Sequence, residues 1–543
     1  MEEPLKKKNV IGNPLLLLGM AAFLTSLLVQ SGELGSIDTT LRLQTTHSFW
    51  TATPPIPPDL GIVGRHGKIY ATYGIGQSLL MLPADIVGTY LNRLPIFARF
   101  ADHDPDIRAM VVSYSTNIIL CVLTVMVCFR FLRLLEFNRT ECAAGALALL
   151  FGTTFLHYTQ NMMENNFILL LTLTGLCFQY DWLRTGNTRA LLIGSFALGA
   201  NLLTRLTTIL DIAGAGVFLF LILVMHRVGG RELFARLREY LCVAVPCYGV
   251  FFLIDRLYQY VRFGSFWNTY LSVAAEQQRN LDPDLPANFP WNTPLHTGVL
   301  GPLITPEKSL FLFDPLICLT ILITVGIWKR FRPEIQAYVI SISCLAAAYI
   351  LFYATYSTWS GDYAWGDRFI TVPTQLLAMI SIPLLLRHRY HLRRIVVTLG
   401  MAIAACSVAV QLASVAFWHP LEIHQMETLG HRFVVGLRFK NIAAVAFDRV
   451  DQWGLSNQLT KDVGGIHSIT PYFLPFLLKK DGSVSRATSD ALIILWFCML
   501  AALISILLVI WRQAQGDFSS PFSPTREPGL LPQQLNHSQG QAI

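Results

Sequence analysis

Long, uninterrupted apolar blocks constrain the fold of this chain more than any other feature. They run near 13–30, 107–129, 142–160, 165–182, 190–206, 208–225, 240–257, 309–328, 335–355, 369–386, 395–416 and 489–511. A helix of about 20 apolar residues crosses the hydrocarbon core of a bilayer, and only a helix or a closed barrel satisfies its own backbone there. The blocks lack the period-2 alternation of barrel strands, so helices are expected. Only 14% of the residues are charged, against about 25% in soluble domains. A soluble chain of this kind would expose large apolar patches. The expected fold class is therefore all-α integral membrane, with about twelve transmembrane helices.

The basic residues set the expected orientation, because cytoplasmic loops are enriched in Lys and Arg. Lys6, Lys7 and Lys8 precede the first block, which lacks a small-residue cleavage site at its end and reads as a retained anchor. With the N-terminus inside, Arg130, Arg133, Arg139, Arg184, Arg189, Arg227, Arg231, Arg236 and Arg238 fall on the cytoplasmic side. So do Lys329, Arg330, Arg332, Arg387, Arg389, Arg393, Arg394 and Arg512. Every short inside loop is then basic, and both termini are cytoplasmic. The net charge of +7 is thus topological and implies no nucleic acid. The cysteines all lie in or at the ends of the blocks, which gives the external loops no disulfide framework.

This topology divides the chain into a multi-spanning core at 1–416, an external loop or small cap at 417–488, a last span at 489–511 and a disordered cytoplasmic tail at 512–543. The first external loop, 31–106, contains a helical stretch from Ile37 to Phe49, a Pro-rich run and a half-apolar run from Tyr73 to Leu94. Counting 73–94 as a span would turn every later basic loop outward, so it is expected to lie at the interface. A third external segment, 258–308, is rich in Pro, Asn and aromatics, and no fixed-period repeat is evident.

Ionisable residues gather at the expected outer ends of the spans, where charge is costly and usually has a partner. Asp38 stands just beyond the first span and suits a general base, although a carboxylate there also favours a helix N-terminus; Glu33 is its rival. Lys68, with Arg65, sits in a Gly-flanked turn suited to phosphate or to lipid headgroups. Arg205 ends the fifth block, Lys308 opens another, and Glu164-Asn165-Asn166 marks a further outer end. Asp211 and Asp255 are expected as packing partners of Arg205 or Arg256. The stretch from Trp359 to Phe369 is the densest polar-aromatic cluster; Trp359, Tyr363 and Trp365 suit stacking on a sugar, and Asp362 and Asp367 suit Arg368 or an acceptor. Asp102-His103-Asp104 has the spacing of a metal pair but more simply reads as a turn before Pro105.

The order of these features carries a resemblance. An early external Asp is followed by Gly67-Lys68-Ile69-Tyr70-Ala71-Thr72-Tyr73-Gly74-Ile75-Gly76-Gln77, then Leu202-Leu203-Thr204-Arg205, Arg262-Phe263-Gly264-Ser265 and Trp365-Gly366-Asp367-Arg368-Phe369. Over roughly 10–390 the chain resembles the multi-spanning GT-C glycosyltransferases that use polyprenyl-phosphate-linked sugars. More narrowly, it is similar to the bacterial relatives of the protein O-mannosyltransferase and aminoarabinose transferase group. The resemblance implies an enzyme of the bacterial inner membrane that moves a sugar from a polyprenyl-phosphate donor to a glycan, lipid or protein acceptor on the periplasmic face. It makes Asp38 the catalytic carboxylate and Lys68, Arg205, Lys308 and Arg368 the grip on the lipid phosphate. Trp359, Asp362, Tyr363 and Trp365 are then the sugar or acceptor contacts. Many relatives carry Asp-Glu where this chain has Asp38-Thr39, which leaves a divalent metal without its usual acidic pair. The rival readings are a lipid or oligosaccharide transporter, a glycan polymerase or ligase, and a non-catalytic scaffold.

Overall fold

The computed structural model describes residues 13–52, 56–57, 60–100, 105–450 and 469–519. Asp102-His103-Asp104, Lys6–Lys8 and most of the Pro-rich run lie outside them. Helix α1 spans Pro14–Val29 and α2 spans Ile37–His47, followed by a two-stranded antiparallel hairpin, β1 (Ile62–Val63) and β2 (Ile69–Tyr70). Then come α3 (Gly76–Asn92), α4 (Ile107–Leu134), α5 (Arg139–Gly152), α6 (Phe155–Gln160), α7 (Asn165–Thr185), α8 (Thr188–Leu202), α9 (Ile209–Met225) and α10 (Gly230–Phe263). They are followed by α11 (Tyr270–Leu281), α12 (Leu295–Ile304), α13 (Leu310–Phe313), α14 (Leu316–Ile327), α15 (Pro333–Tyr353), α16 (Thr371–Met379), α17 (Ser381–His388) and α18 (Arg394–Ser414). The chain continues through α19 (Pro420–Leu429), α20 (Val434–Ala446), α21 (Leu474–Asp481) and α22 (Arg486–Ser519). Among the described residues, the regular structure is helical apart from the hairpin.

Among the described residues, six helical segments are long and apolar enough to cross a membrane: Ile107–Leu134, Leu206–Met225, Gly230–Phe263, Pro333–Tyr353, Arg394–Ser414 and Arg486–Gln515. Only 6% of the apolar window of α10 is buried within the protein. Phe234, Leu241, Val250 and Leu253 along it are exposed. An apolar surface of that extent needs lipid rather than water around it. Of the remaining blocks, 165–182 forms the uninterrupted 21-residue α7, 13–30 and 190–206 form the shorter α1 and α8, and three are interrupted. Block 142–160 breaks into α5 and α6, 309–328 into α13 and α14, and 369–386 into α16 and α17. Two of the breaks meet. The buried Asp314, between α13 and α14, accepts from the Thr154 backbone N–H at 2.7 Å and its hydroxyl at 3.0 Å, and Gln375 of α16 donates to the same hydroxyl at 3.2 Å. A backbone donor freed inside an apolar core must find such a partner.

The basic loops collect at one end of the bundle. Glu136 binds Arg332 and Arg184, its carbonyl accepts from Arg387 at 2.7 Å, and Arg387 also reaches Glu141 at 2.8 Å. Four of the loops assigned to one side by charge counting, those at 130–139, 184–189, 329–332 and 387–394, therefore meet through these contacts. The 73–94 run is α3, whose buried Asp85 accepts from Arg108 at 2.5 Å, Trp50 at 2.8 Å and His47 at 3.1 Å, tying it to α2 and α4. Helix α10 extends past the expected span end at 257, so the segment 258–308 opens as helix, and this extension carries Arg262 inward. In 417–488, α19 and α20 are joined by a fully buried ion pair, Glu422 with Arg438 at 2.6 Å. The last helix runs to Ser519, seven residues past Arg512.

Candidate functional site

The residues between α1 and α2 set the site's position. Gly35 has φ +74° and a Cβ there would lie 2.7 Å from the Asn161 backbone, so only glycine lets α2 start against the α6–α7 link. Ser36 caps α2 by accepting from the Thr39 N–H at 3.2 Å, and the Thr39 hydroxyl donates to the Met162 carbonyl. Asp38 and Arg42 are then one turn apart on the same face, turned toward the first residues of α7 and α16 and the last residues of α8.

Asp38 is held on both oxygens. Tyr73 donates its hydroxyl to Oδ1 at 2.6 Å, and Arg368 donates Nη1 to Oδ2 at 2.6 Å. Glu164, at the start of α7, binds both Arg42 and Arg205. The Tyr73 ring lies under Arg42, 4.1 Å from its guanidinium carbon, and the Phe369 ring supports Arg205 at 5.1 Å. Burial pushes the Asp38 carboxyl up, but Arg368, Arg42 and the Tyr73 hydrogen bond together hold it below the usual carboxylate range. Burial likewise opposes ionisation of Glu164, and Arg42 and Arg205 outweigh it, holding that carboxyl far below its ordinary value. Both are charged at neutral pH, so two carboxylates face three guanidiniums.

Neighbouring elements lock the parts in place. A Cβ at Gly76 would lie 2.3 Å from the Thr204 hydroxyl, and the Gly76 N–H donates to the Leu203 carbonyl at 2.8 Å. The loop before α3 thus runs directly beneath the end of α8 and beside Arg205. Arg262, buried, donates to the Ala71 carbonyl at 2.9 Å and the Tyr73 carbonyl at 3.2 Å, fixing the segment after β2 that delivers Tyr73. Asn165 donates to the Arg368 carbonyl at 2.6 Å.

The structure brings Asp38, Arg205 and Arg368 together, and adds Arg42, Tyr73 and Glu164. Arg42 was legible as the residue one turn after Asp38, and Glu164 as an acid at a span end. The partner of Arg205 is Glu164, whereas Asp211 is bound by Thr172 at 3.0 Å and Tyr349 at 3.1 Å, and Asp255 pairs with Arg256 at 2.5 Å. Lys308 stands apart from the cluster: its ammonium donates to the carbonyls of Asp362 (2.5 Å), Ala364 (2.8 Å) and Gly366 (3.2 Å). Its charge is spent on shaping the loop before α16, where a phosphate grip had been expected. Trp365 is fully buried, stacked on His157 with centroids 5.6 Å apart, so it backs the loop and presents no face to a sugar. Trp359 is half-buried against Gly301 of α12, Asp362 is exposed, and Tyr363, also exposed, donates to Glu427 at 3.2 Å. Lys68 lies on the exposed turn of the β1–β2 hairpin and makes no ion pair among the described residues. Glu33 receives the Tyr472 hydroxyl at 2.5 Å and lines a separate cavity of about 490 Å³. Ile37, Thr40 and Gln44 line that cavity from the opposite face of α2, with Asp106 and Trp418 across from them.

No family model matches the sequence, and no curated protein matches it. Among solved structures, the archaeal oligosaccharyltransferase AglB from Archaeoglobus fulgidus, in complex with an inhibitory peptide and a dolichol-phosphate, aligns with 74% of this chain. The identity is 15%, the TM-score is 0.43, and the match spans 55% of that structure's length.

Proposed function

We propose that the protein is a membrane glycosyltransferase that moves a sugar from a polyprenyl-phosphate-linked donor to an acceptor on the external face of a bacterial inner membrane. The observation that carries this reading is the cluster itself: two carboxylates, Asp38 and Glu164, beside three guanidiniums, with Glu164 bound to Arg42 and Arg205 and Asp38 bound to Arg368. An anionic leaving group needs fixed positive charge where its own charge develops, and Arg42, Arg205 and Arg368 supply it in a partly desolvated place. The acceptor hydroxyl gives its proton to Asp38 as its oxygen bonds to C1. The C1–O bond to phosphate breaks, the electron pair leaves with the polyprenyl phosphate, and the sugar passes through an oxocarbenium-like state.

Lys68, exposed on the hairpin, is placed in this reading at the approach to the site; Lys308 shapes the loop that delivers Arg368. Trp359, Asp362 and Tyr363 remain the candidate sugar or acceptor contacts, and the cavity across α2 offers room for an acceptor. A divalent metal fits the residues poorly: both carboxylates of the cluster are already engaged by guanidiniums, and the excess charge is positive. The expected twelve spans, cytoplasmic termini and external cap belong to the same reading.

The test is release of polyprenyl phosphate from a panel of labelled polyprenyl-phosphate sugars, with envelope extract as acceptor. Asp38→Asn should lower turnover by about 10²–10⁴-fold, the usual worth of a general base. Equal turnover by both proteins would remove Asp38 from the mechanism, and no turnover with any donor would favour a transporter or scaffold.

A further inference from the structure

In this structure Asp38 is not a free base. Tyr73 and Arg368 occupy its two oxygens at 2.6 Å each. A guanidinium stabilises the charged carboxylate and so makes it a poorer proton acceptor. The charges around it do not balance, because among the described residues Arg42, Arg205 and Arg368 pair only with Asp38 and Glu164. Glu164 serves two guanidiniums at once, so neither Arg42 nor Arg205 has a carboxylate of its own. Two buried donors in the cluster, Arg42 Nη1 and Arg368 Nε, meet no acceptor among the described residues. Asn165 pins the Arg368 backbone, which leaves the guanidinium as the part that turns.

From these facts the geometry points to an ion-pair exchange: a phosphate ester entering the cluster takes Arg368 away from Asp38, and Asp38, then held by Tyr73 alone, becomes the proton acceptor. The inference rests on the transferase reading and adds an order to it, donor phosphate first and acceptor proton second. A phosphate ester brings at least one negative charge, which offsets the one positive charge in excess. The unmatched Arg42 and Arg368 donors supply hydrogen bonds to its oxygens that nothing else in the cluster now takes. Exchanging one anion for another avoids leaving a buried guanidinium alone, the costly alternative. Before the donor arrives the base is locked, so water or acceptor alone is not activated. No co-reactant is required: the acceptor proton goes to Asp38 and the electron pair of the broken C1–O bond goes to the phosphate.

The exchange makes an unusual forecast for binding, which can be read without any sugar transfer. Farnesyl phosphate is titrated calorimetrically into detergent-purified wild type, Asp38→Asn, Tyr73→Phe and Arg368→Gln. Asp38→Asn removes the competitor for Arg368 and should bind roughly tenfold more tightly, the worth of one charge-assisted hydrogen bond. Tyr73→Phe leaves Asp38 a stronger partner for Arg368 and should bind several-fold more weakly; Arg368→Gln should lose most of the affinity. Unchanged or weaker binding by Asp38→Asn overturns the exchange. If that variant does not fold, unchanged or tighter binding by Tyr73→Phe overturns it instead. Turnover with lipid-linked sugars separates the two readings: binding as forecast without transfer from any donor keeps the exchange and removes the transferase. Transfer with no tightening in Asp38→Asn keeps the transferase and removes the exchange.

Discussion

Replacing Lys308 by Met separates a loop-shaping cation from a phosphate-binding one. Met keeps most of the side-chain volume and removes the ammonium, which now binds the carbonyls of Asp362, Ala364 and Gly366. Asp362 is exposed, so water replaces the lysine there, whereas Ala364 and Gly366 are buried and their carbonyls lose their partner. A buried acceptor left without a partner costs about 1–3 kcal/mol, which puts the loss from the two at about 2–6 kcal/mol. Removing a buried ammonium returns part of its desolvation penalty, and a net loss of about 2–4 kcal/mol is expected. The loop that ends at Arg368 should loosen with it. Thermal unfolding in detergent should begin several degrees lower, and chymotrypsin should cut faster at Tyr363, which is already 54% exposed. Donor affinity should fall only as far as the displaced Arg368 weakens it. Unchanged thermal stability and proteolysis, with a donor KM raised tenfold or more at constant kcat, would show that Lys308 touches the phosphate and would refute this reasoning.

Two further outcomes follow from the cluster and its scaffold. The Asp38 carboxyl lies below its usual range in the free protein, so its ionised form, and the stability its ion pair contributes, persist as pH falls and are lost only as pH drops through that lowered value. The acid limb of kcat/KM, which reports the free enzyme, should therefore lie below about pH 4, the ordinary Asp value. Under the proposed exchange the limb of kcat should lie higher, because bound donor phosphate would draw Arg368 away; coincident limbs in a pH–rate profile would contradict the exchange. Gly76→Ala would place a methyl group 2.3 Å from the Thr204 hydroxyl. It should cost about 1–3 kcal/mol as overpacking and raise the donor KM by shifting Arg205, measurable by thermal unfolding and kinetics. A fully active, equally stable variant would mean that the loop before α3 is not held under α8.

What depends on short range could be read from the residues alone. Helices over the apolar blocks, their grouping by basic loops and the isolation of Asp38, Arg205 and Arg368 all follow from the cost of placing polar groups in lipid, paid residue by residue. The candidate cluster was legible to that extent, as charges standing at the ends of greasy segments. Which charges meet was decided only by tertiary packing. Asp38 and Arg368 are 330 residues apart in sequence, and Glu164 could have paired with any nearby cation until α2 docked on the α6–α7 link. The same packing turned Lys308 toward carbonyls and enclosed Trp365. A spacing rule sees neither, because a side chain's partner is set by the element that closes over it, and that element comes from a distant part of the chain.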